Sequence, residues 1–206
     1  MEKISILIPT YNNASKIGRC LDSALNQTYK NIKVIVLNDG SNDNTKKIVE
    51  DYLKKYDNIF YYENEKNMGR GYSRNKILEL SDTRLSCWLD SDDYMHLDKI
   101  KQQYDYFVQN PECNFLATPM MCLLSETKME PGYSNYNFIK NVNLSNLKVI
   151  NHIPHPTVMF KTQIAKDLKF NQNKNREEDW DFYIRLYEMG LKVDVIPNLL
   201  YYYNMY

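Results

Sequence analysis

Apolar runs alternate with stretches of helical periodicity along the first half of the chain. Residues 4–8 and 32–37 are short apolar runs rich in β-branched side chains, which are typical of buried strands. Between them, from 17 to 25, apolar side chains recur on one helical face. Strands that alternate with helices over short loops predict an α/β, Rossmann-like fold with a mostly parallel central sheet flanked by helices. The predicted strands are 4–8, 32–37, 59–62 and 85–89, and the predicted helices cover 17–25, 48–56, 73–80 and 97–108.

The pattern becomes less regular beyond about residue 113. A run at 114–118 is compatible with another strand, whereas 119–149 shows no clear period and receives no assignment. Because segment 153–160 contains Pro154 and Pro156, it is predicted to be an irregular or edge strand. Helices at 162–168 and 178–189 and strands at 193–196 and 199–203 complete the prediction.

The composition narrows the class of protein. Its 206 residues are 43% hydrophobic, which is enough for one compact domain with a sizeable core. Lys plus Arg equal Asp plus Glu, at 26 each, so no global positive field draws the protein to nucleic acid. The four cysteines are far apart without a CxxC pair, which predicts reduced core residues and not a zinc site or disulfide frame. No apolar stretch is long enough to be a transmembrane segment, and we expect a cytoplasmic protein, free or peripheral at a membrane.

Three carboxylates follow the fourth predicted strand within four residues. Asp90, Asp92 and Asp93 stand where the carboxyl ends of parallel strands line a ligand crevice. Carboxylates at that edge suit a hard divalent cation bridged to a phosphate. The alternative is that Asp92 and Asp93 cap the following helix, although capping needs one short acidic residue and not three. The strand end by itself leaves both interpretations open.

Two common nucleotide-binding motifs are absent. A dinucleotide-binding protein carries GxGxxG after its first strand, where residues 9–12 of this chain read PTYN. Residues 69–71 begin such a pattern, but Arg74 occupies the position of the third glycine. Neither GxxxxGKS nor GxxxxGKT occurs. The sequence therefore supports neither a Rossmann dehydrogenase nor a P-loop enzyme.

Five other motifs occur in a fixed order over nearly the whole chain, and together they closely resemble family 2 glycosyltransferases of the GT-A fold. They are residues 4–12 (ISILIPTYN), 38–41 (NDGS), 67–69 (NMG) with 74–75 (RN), 90–93 (DSDD) and 178–181 (EDWD). The resemblance implies an inverting, metal-dependent glycosyltransferase that moves one sugar from a UDP-sugar to a hydroxyl of a glycan, lipid-linked or protein acceptor. It also implies a single GT-A domain over 1–206, with 1–112 as the nucleotide-sugar-binding half and 113–206 as the acceptor-binding half.

The resemblance assigns a donor site to residues from all five motifs and to one histidine. Asp39 would hold the uracil through its ring N3–H, since a carboxylate is a strong acceptor for that group. The alternative for Asp39 is an Asx turn beside Gly40. Arg70 and Arg74 would offset diphosphate charge, pair with Asp90 or form a solvated helix face, and the sequence leaves these roles open. The implied nucleotide-sugar-binding residues are Pro9, Thr10, Tyr11, Asp39, Asn67, Gly69, Arg70, Arg74, Asp90, Ser91, Asp93, His155 and Glu178.

Two further carboxylates carry the implied chemistry. Asp92 would ligate Mn²⁺ or Mg²⁺, which acts as a Lewis acid on the UDP leaving group. Asp179 would be the general base that takes the proton of the attacking hydroxyl, and one base opposite the leaving group implies a single displacement with inversion. The alternative for Asp179 is that it complements the dipole of a helix with its acidic neighbours. His155 lies near the donor sugar in similar proteins, although a lone histidine is more often a structural residue.

Two rival functions fit parts of the pattern. A catalytically silent nucleotide-sugar-binding protein would retain the pocket without turnover. A sugar-1-phosphate nucleotidylyltransferase is less favoured, because it should carry a glycine-rich basic loop where residues 9–11 read PTY. Many family members add a histidine-bearing tail that completes the metal site, whereas residues 201–206 read YYYNMY. We therefore expect either one or two protein ligands to the metal or a chain that is one domain of a longer protein. The QxxRW motif of processive synthases is absent, which favours transfer of one sugar per encounter.

Overall fold

The computed structural model of the protein describes residues 2–125, 128–131, 136–174 and 176–205. Its strands are β1 (Ile4–Thr10), β2 (Ile32–Asn38), β3 (Ile59–Glu63), β4 (Leu85–Trp88), β5 (Tyr94–Met95), β6 (Phe115–Ala117), β7 (Met120–Leu123), β8 (Met129–Pro131), β9 (Met159–Lys161), β10 (Val193–Val195) and β11 (Tyr201–Asn204). Its helices are α1 (Ile17–Leu25), α2 (Thr45–Leu53), α3 (Arg70–Leu80), α4 (Lys99–Gln109), α5 (Tyr136–Ile139), α6 (Leu144–Leu147), α7 (Thr162–Leu168) and α8 (Glu178–Glu188).

Seven strands form the central sheet, in the order β10-β6-β9-β4-β1-β2-β3. The pairs β1–β2, β2–β3, β1–β4 and β6–β10 are parallel. Strand β9 runs antiparallel between β4 and β6. The predicted α/β fold with a mostly parallel central sheet is therefore confirmed.

The position of β9 corrects one prediction. The sequence predicts an irregular or edge strand at 153–160, but β9 lies inside the sheet with a neighbour on each side. Pro154 and Pro156 belong to the 3₁₀ turn His155–Thr157 and the residue before it, so neither proline removes a donor from the strand ladder. The edge-strand alternative is wrong, because the prolines stop short of the strand that follows them, whereas the irregular alternative describes residues 153–158.

Two hydrophobic cores lie on opposite faces of the sheet, because side chains alternate between faces along β1. Ile6 packs in the core that contains residues of α1, α2 and α4. Leu7 packs in the other core, with residues of α3, α7 and α8. The four cysteines are buried and free, as predicted. Since helices cover both faces, a ligand meets this sheet at the carboxyl ends of its strands.

The helix after the acidic strand end begins later than expected. It starts at Lys99, and Leu97 and Val108, both predicted on its apolar face, are 51% and 58% exposed. Asp92 and Asp93 precede β5 and lie several residues before the helix. The helix-capping alternative for these two carboxylates is therefore wrong.

A second sheet has four strands in the order β5-β11-β7-β8. Strands β7 and β8 come from segment 119–149, which the periodicity left unassigned. Strand β11 pairs antiparallel with β5 and parallel with β7. Residues 90–93 (DSDD), the acidic turn, directly precede β5. The pairing of β5 with β11 therefore places β11 against the acidic turn.

Candidate active site: a cleft at the carboxyl ends of the strands

A cleft of about 410 Å³ opens where β1, β2 and β4 end. Parallel strands bring their carboxyl ends to one edge of a sheet, so the loops that follow these strands meet there. The start of α3 and the end of β11 complete the walls. The lining residues are Pro9, Thr10, Tyr11, Asp39, Asn67, Gly69, Arg70, Ser73, Arg74, Asp90, Ser91, Asp92 and Tyr203.

Asp39 is buried at the end of β2 and organises the next loop of the cleft. Its Oδ1 accepts hydrogen bonds from Asn64 Nδ2 at 2.7 Å and from Met68 N at 2.9 Å. Its Oδ2 accepts one hydrogen bond, from Gly69 N at 3.0 Å. A carboxylate oxygen has two lone pairs, so Oδ2 retains acceptor capacity towards the cleft that Asp39 lines.

The turn after β2 is made by Asn38, and the Asx-turn alternative for Asp39 is wrong. Asn38 Oδ1 accepts hydrogen bonds from Ser41 N at 3.0 Å and Ser41 Oγ at 2.6 Å. Gly40 has φ +71°, and a Cβ atom there would lie 2.5 Å from the carbonyl carbon of Lys66. This close approach requires glycine and holds the turn against the segment that leads into residues 67–69.

Polar residues of the NDGS region also fix the loop after β1. Asn12 N donates to Ser41 Oγ at 2.8 Å, and Asn13 N donates to Thr45 Oγ1 at 2.9 Å. Asp43 Oδ2 accepts from the backbone N–H of residue 14 at 2.9 Å. These side chains shape the loop that carries Tyr11 and do not line the cleft themselves.

Thr10 places an unpartnered hydroxyl in the cleft wall. The residue is 4% exposed, and its Oγ1 makes no hydrogen bond to any residue within the described ranges. A buried hydroxyl without a partner is destabilising by about 1–3 kcal/mol. A polar atom of a ligand in the cleft would remove that cost.

The acidic turn presents two carboxylates without hydrogen-bond donors. No residue in the described part of the chain donates a hydrogen bond to the carboxylate of Asp90 or of Asp92, and both line the cleft. Burial raises the pKa of Asp90 to about 6, with a further increase from the charge of Asp92 and a decrease from Arg74. Carboxylate oxygens are the ligands that a hard divalent cation prefers, so this pair fits Mn²⁺ or Mg²⁺.

The fit is limited to these two side chains. Within the described ranges, no group of three or more His, Cys, Asp or Glu side chains is arranged to hold a metal ion. A cation at Asp92 would therefore take its remaining ligands from a phosphate and water, as is usual for Mg²⁺.

Asp93 is fully buried and faces away from the cleft. Its Oδ2 accepts a hydrogen bond from Tyr201 Oη at 2.8 Å, and its Oδ1 accepts one from Asn204 N at 2.8 Å. Burial and the charge of Asp90 raise the pKa of Asp93 to about 8, against the opposing effect of these hydrogen bonds. Asp93 therefore anchors β11 to the acidic turn and does not touch the space that a donor would occupy.

Arg74 lines the cleft and forms a buried ion pair with Glu178. The two atoms Arg74 Nη1 and Glu178 Oε1 are 2.5 Å apart, and Glu178 is 1% exposed. The solvated-face interpretation of Arg74 is therefore wrong. Its positive charge also lowers the pKa of Asp90. Glu178 lies behind Arg74 and is not among the lining residues.

Asp179 lies in the first turn of α8. The side chain is partly buried, and Asn151 Nδ2 lies 3.5 Å from its Oδ2. The charge of Asp179 contributes to the raised pKa of Asp90, after burial and the charge of Asp92. Asp179 is not among the residues that line the cleft.

His155 is buried in an aromatic cluster and does not line the cleft. Its ring lies 5.0 Å from that of Trp88 and 5.5 Å from that of Phe170. Its Nδ1 is 3.1 Å from Tyr183 Oη. Burial and the charge of Arg74 lower the pKa of His155, so the ring is neutral. These contacts favour the structural interpretation of this histidine.

Two lining residues are absent from the sequence prediction. Ser73 stands one helical turn after Gly69 and Arg70 on α3, so helical spacing was a signal that could have revealed it. Tyr203 comes from β11, and no local pattern marks it because its place depends on a strand pairing with residues far away in the chain.

The α/β sheet and the acidic cleft at its carboxyl edge define the GT-A class of fold. The family model described as glycosyl transferase family 2 matches residues 5–168. The chain therefore belongs to glycosyl transferase family 2, and the predictions of this family, of the GT-A fold and of a glycosyltransferase are confirmed.

Relatives and solved structures agree with this assignment. An uncharacterized glycosyltransferase of Methanocaldococcus jannaschii is 30% identical over 98% of this chain and 70% of its own length. The poly(ribitol-phosphate) beta-glucosyltransferase of Bacillus spizizenii is 28% identical over 98% of this chain and 32% of its own. TarS of S. aureus in complex with UDP is similar at 25% identity and a TM-score of 0.81, over 98% of this chain and 60% of that one. TarS has also been solved with UDP-GlcNAc.

The chain thus spans from 32% to 70% of the length of these proteins. Among the helices of the described residues, none is both long enough and apolar enough to cross a membrane.

Proposed function

We propose that the protein is an inverting, metal-dependent glycosyltransferase that moves one sugar from a UDP-sugar to a hydroxyl of an acceptor. The observation that carries the proposal is the composition of the cleft. One wall offers the free acceptor capacity of Asp39 and the unpartnered hydroxyl of Thr10, and the other offers the carboxylates of Asp90 and Asp92. The similarity to TarS, solved with UDP and with UDP-GlcNAc, supports a uridine nucleotide as the donor.

The uridine would lie between the ends of β1 and β2. Asp39 Oδ2 would accept a hydrogen bond from the uracil N3–H, and Thr10 Oγ1 would bind a polar atom of the nucleoside. Tyr11 is 45% exposed at the rim, where its ring can pack on the base or ribose. Pro9 and Asn67 complete this end, and Ser91 stands beside the acidic turn.

The diphosphate would lie between the acidic turn and the start of α3. Gly69 has φ +89° and leaves open space before the first turn of the helix, where backbone N–H groups favour an anion. Arg70 and Arg74 add positive charge on that wall. Asp92 would hold Mn²⁺ or Mg²⁺ with Asp90 beside it, and the bound cation would neutralise negative charge on the diphosphate.

Transfer would occur as one displacement. The acceptor oxygen forms a bond to the anomeric carbon while the bond from that carbon to the UDP oxygen breaks, and UDP leaves with the electron pair. Asp179 takes the proton from the acceptor hydroxyl. Attack from the side opposite UDP inverts the anomeric configuration. In this arrangement residues 1–112 supply most of the donor site, Tyr203 adds to its wall, and the remainder of 113–206 binds a glycan, lipid-linked or protein acceptor.

Calorimetric titration tests the donor site. UDP, GDP and dTDP are each titrated into the protein with Mn²⁺ and again with EDTA. We expect UDP to bind more tightly than GDP, and the UDP affinity to fall with EDTA. Absence of UDP binding under both conditions would contradict the proposal.

A second measurement separates the transferase from a nucleotide-sugar-binding protein without turnover. A transferase hydrolyses its donor slowly in the absence of acceptor, so release of UDP from a panel of UDP-sugars should be detectable. Proton NMR of the released sugar then reports the anomeric configuration. Donor binding without any hydrolysis would support the catalytically silent alternative.

A further inference from the structure

Tyr203 reaches the cleft from the last strand of the chain. The other lining residues all lie between Pro9 and Asp92 in the chain, far from Tyr203. The Tyr203 side chain is 36% exposed. Along β11, Tyr201 and Tyr203 point to one face, where Tyr201 Oη donates to Asp93 Oδ2 at 2.8 Å. Tyr202 points to the other face and stacks on Tyr94 with ring centroids 4.7 Å apart. The pleat of the strand therefore directs Tyr203 towards the acidic turn.

Hydrogen bonds on both sides of Tyr203 fix its position. Asp90 N donates to Tyr201 Oη at 3.1 Å. On the other side, Asn204 N donates to Asp93 Oδ1 at 2.8 Å, and Asn204 Nδ2 donates to the carbonyl oxygen of Asp92 at 3.2 Å. Tyr201, two residues before Tyr203, and Asn204, directly after it, are thus bonded to the same turn, which holds Tyr203 in register with that turn.

The hydroxyl of Tyr203 is available to a ligand. Within the residues that the structure describes, no hydrogen bond joins it to the protein. A phenol has an ordinary pKa of about 10, so the hydroxyl keeps its proton near neutral pH and is a hydrogen-bond donor. A neutral donor beside carboxylates is suited to an anionic oxygen that approaches the same turn.

We propose that Tyr203 donates a hydrogen bond to a phosphate oxygen of the departing UDP and so stabilises the charge that develops on it. The inference rests on the proposed function. The bond from the anomeric carbon to the diphosphate oxygen breaks, the electron pair remains on UDP, and the Tyr203 proton stays on the phenol throughout. The contribution is therefore electrostatic and grows as the leaving group separates from the sugar.

The test compares Tyr203→Phe, which removes only the hydroxyl, with Tyr203→Ala, which also removes the ring. Tyr202→Phe is the matched control, since it deletes the same group from the next residue, outside the cleft. The measurements are kcat and KM for the UDP-sugar that the wild type hydrolyses fastest, and the dissociation constant of UDP with Mn²⁺. We expect Tyr203→Phe to lower kcat by at least about tenfold, with a much smaller change in UDP affinity.

The possible results separate this role from the others. Tyr202→Phe should retain wild-type kcat. If Tyr203→Phe keeps the wild-type kcat and only Tyr203→Ala loses it, the ring acts by packing and the hydroxyl role is wrong. A rise in KM without a change in kcat would likewise overturn the proposal. If the wild type does not bind UDP at all, the proposed function itself fails, whereas UDP binding with an unchanged Tyr203→Phe variant removes only this inference.

Discussion

Arg74 on α3 and Glu178 on α8 form a buried ion pair that joins the wall of the cleft to the helix that carries Asp179. Glu178 Oε2 has no hydrogen-bond partner among the described residues, so the ion pair to Arg74 is its main compensation for burial. Removing one member of a buried pair leaves the other charge uncompensated. The pair therefore fixes the relative position of two elements that are distant in sequence.

Glu178→Gln should destabilise the protein strongly. Loss of the negative charge leaves the Arg74 guanidinium buried without its partner, and we expect the free energy of unfolding to fall by about 3 kcal/mol. Asp181→Asn is the matched control on the same helix, because Asp181 pairs with the more exposed Arg185 at 2.8 Å. That change should cost about 0.5 kcal/mol. Urea denaturation measures both, and equal losses would show that burial does not set the strength of the first pair.

Asp179→Asn should abolish transfer while leaving the donor site intact. An amide cannot take the proton of the acceptor hydroxyl, so we expect kcat for transfer to fall by about 10²–10⁴-fold. The dissociation constant of UDP, measured by calorimetry, should stay within error of the wild type. Glu177→Gln alters an exposed carboxylate immediately before the same helix and should retain activity. Wild-type transfer by Asp179→Asn would exclude this residue as the base.

Gly40→Ala and Gly190→Ala separate steric conflict from backbone strain. Both glycines have positive φ, +71° and +78°, but only at Gly40 would a Cβ atom meet backbone, 2.5 Å from Lys66 C. We expect Gly190→Ala to cost about 1 kcal/mol of stability through φ alone. Gly40→Ala should cost clearly more and weaken UDP binding, because residues 66–69 must move away from Asp39. Thermal unfolding and calorimetry report the two effects, and equal costs would contradict the packing argument.

Lys99 gives the stability of the protein a distinct pH dependence. The side chain is fully buried at the start of α4, its Nζ donates to Gln103 Oε1 at 2.9 Å, and burial lowers its pKa. In the unfolded chain, Lys99 has the ordinary lysine pKa of about 10.4 and binds a proton more readily than in the folded protein. Stability therefore rises with pH from the folded pKa to the unfolded pKa, by at most about 1.4 kcal/mol per pH unit from this group.

Lys99→Met removes this dependence. The melting temperature of Lys99→Met minus that of the wild type should be largest near neutral pH. This difference should decrease as the pH approaches 10, because the wild type becomes more stable over that range. The lost hydrogen bond to Gln103 adds an offset that does not vary with pH. Lys101→Met, an exposed change on the same helix, should show no such trend. A constant difference between wild type and Lys99→Met across this range would contradict the argument.

Local periodicity was sufficient for the first half of the fold. Residues 4–8 and 32–37 alternate with helices whose faces are buried, and burial is what hydrophobic spacing reports. The wall of the cleft could also be predicted from the sequence, because parallel strands bring their carboxyl ends together. Asp39, Asp90 and Asp92 therefore meet at one cleft.

The parts that could not be predicted depend on contacts between distant residues. Asp92 and Asp93 are adjacent and chemically identical, yet only Asp92 lines the cleft, because β11 binds Asp93 from the far end of the chain. Glu178 was assigned to the donor but lies behind Arg74. His155 was assigned near the sugar but packs on Trp88. No pattern within a window of sequence specifies such pairings.

The antiparallel strand β9 also determines the order in which the sheet can be built during synthesis. Strands β1 to β4 lie within residues 4–88, so they can pair as soon as this part of the chain has left the ribosome. Strand β4 then exposes an unpaired edge until Met159–Lys161 has been made, and β6 has no neighbour in the sheet before that point. We expect β9 to pair late, because its contacts with β4 and β6 close a long loop. We expect a nascent chain that stalls before β9 to expose the open edge of β4 and therefore to be prone to aggregate.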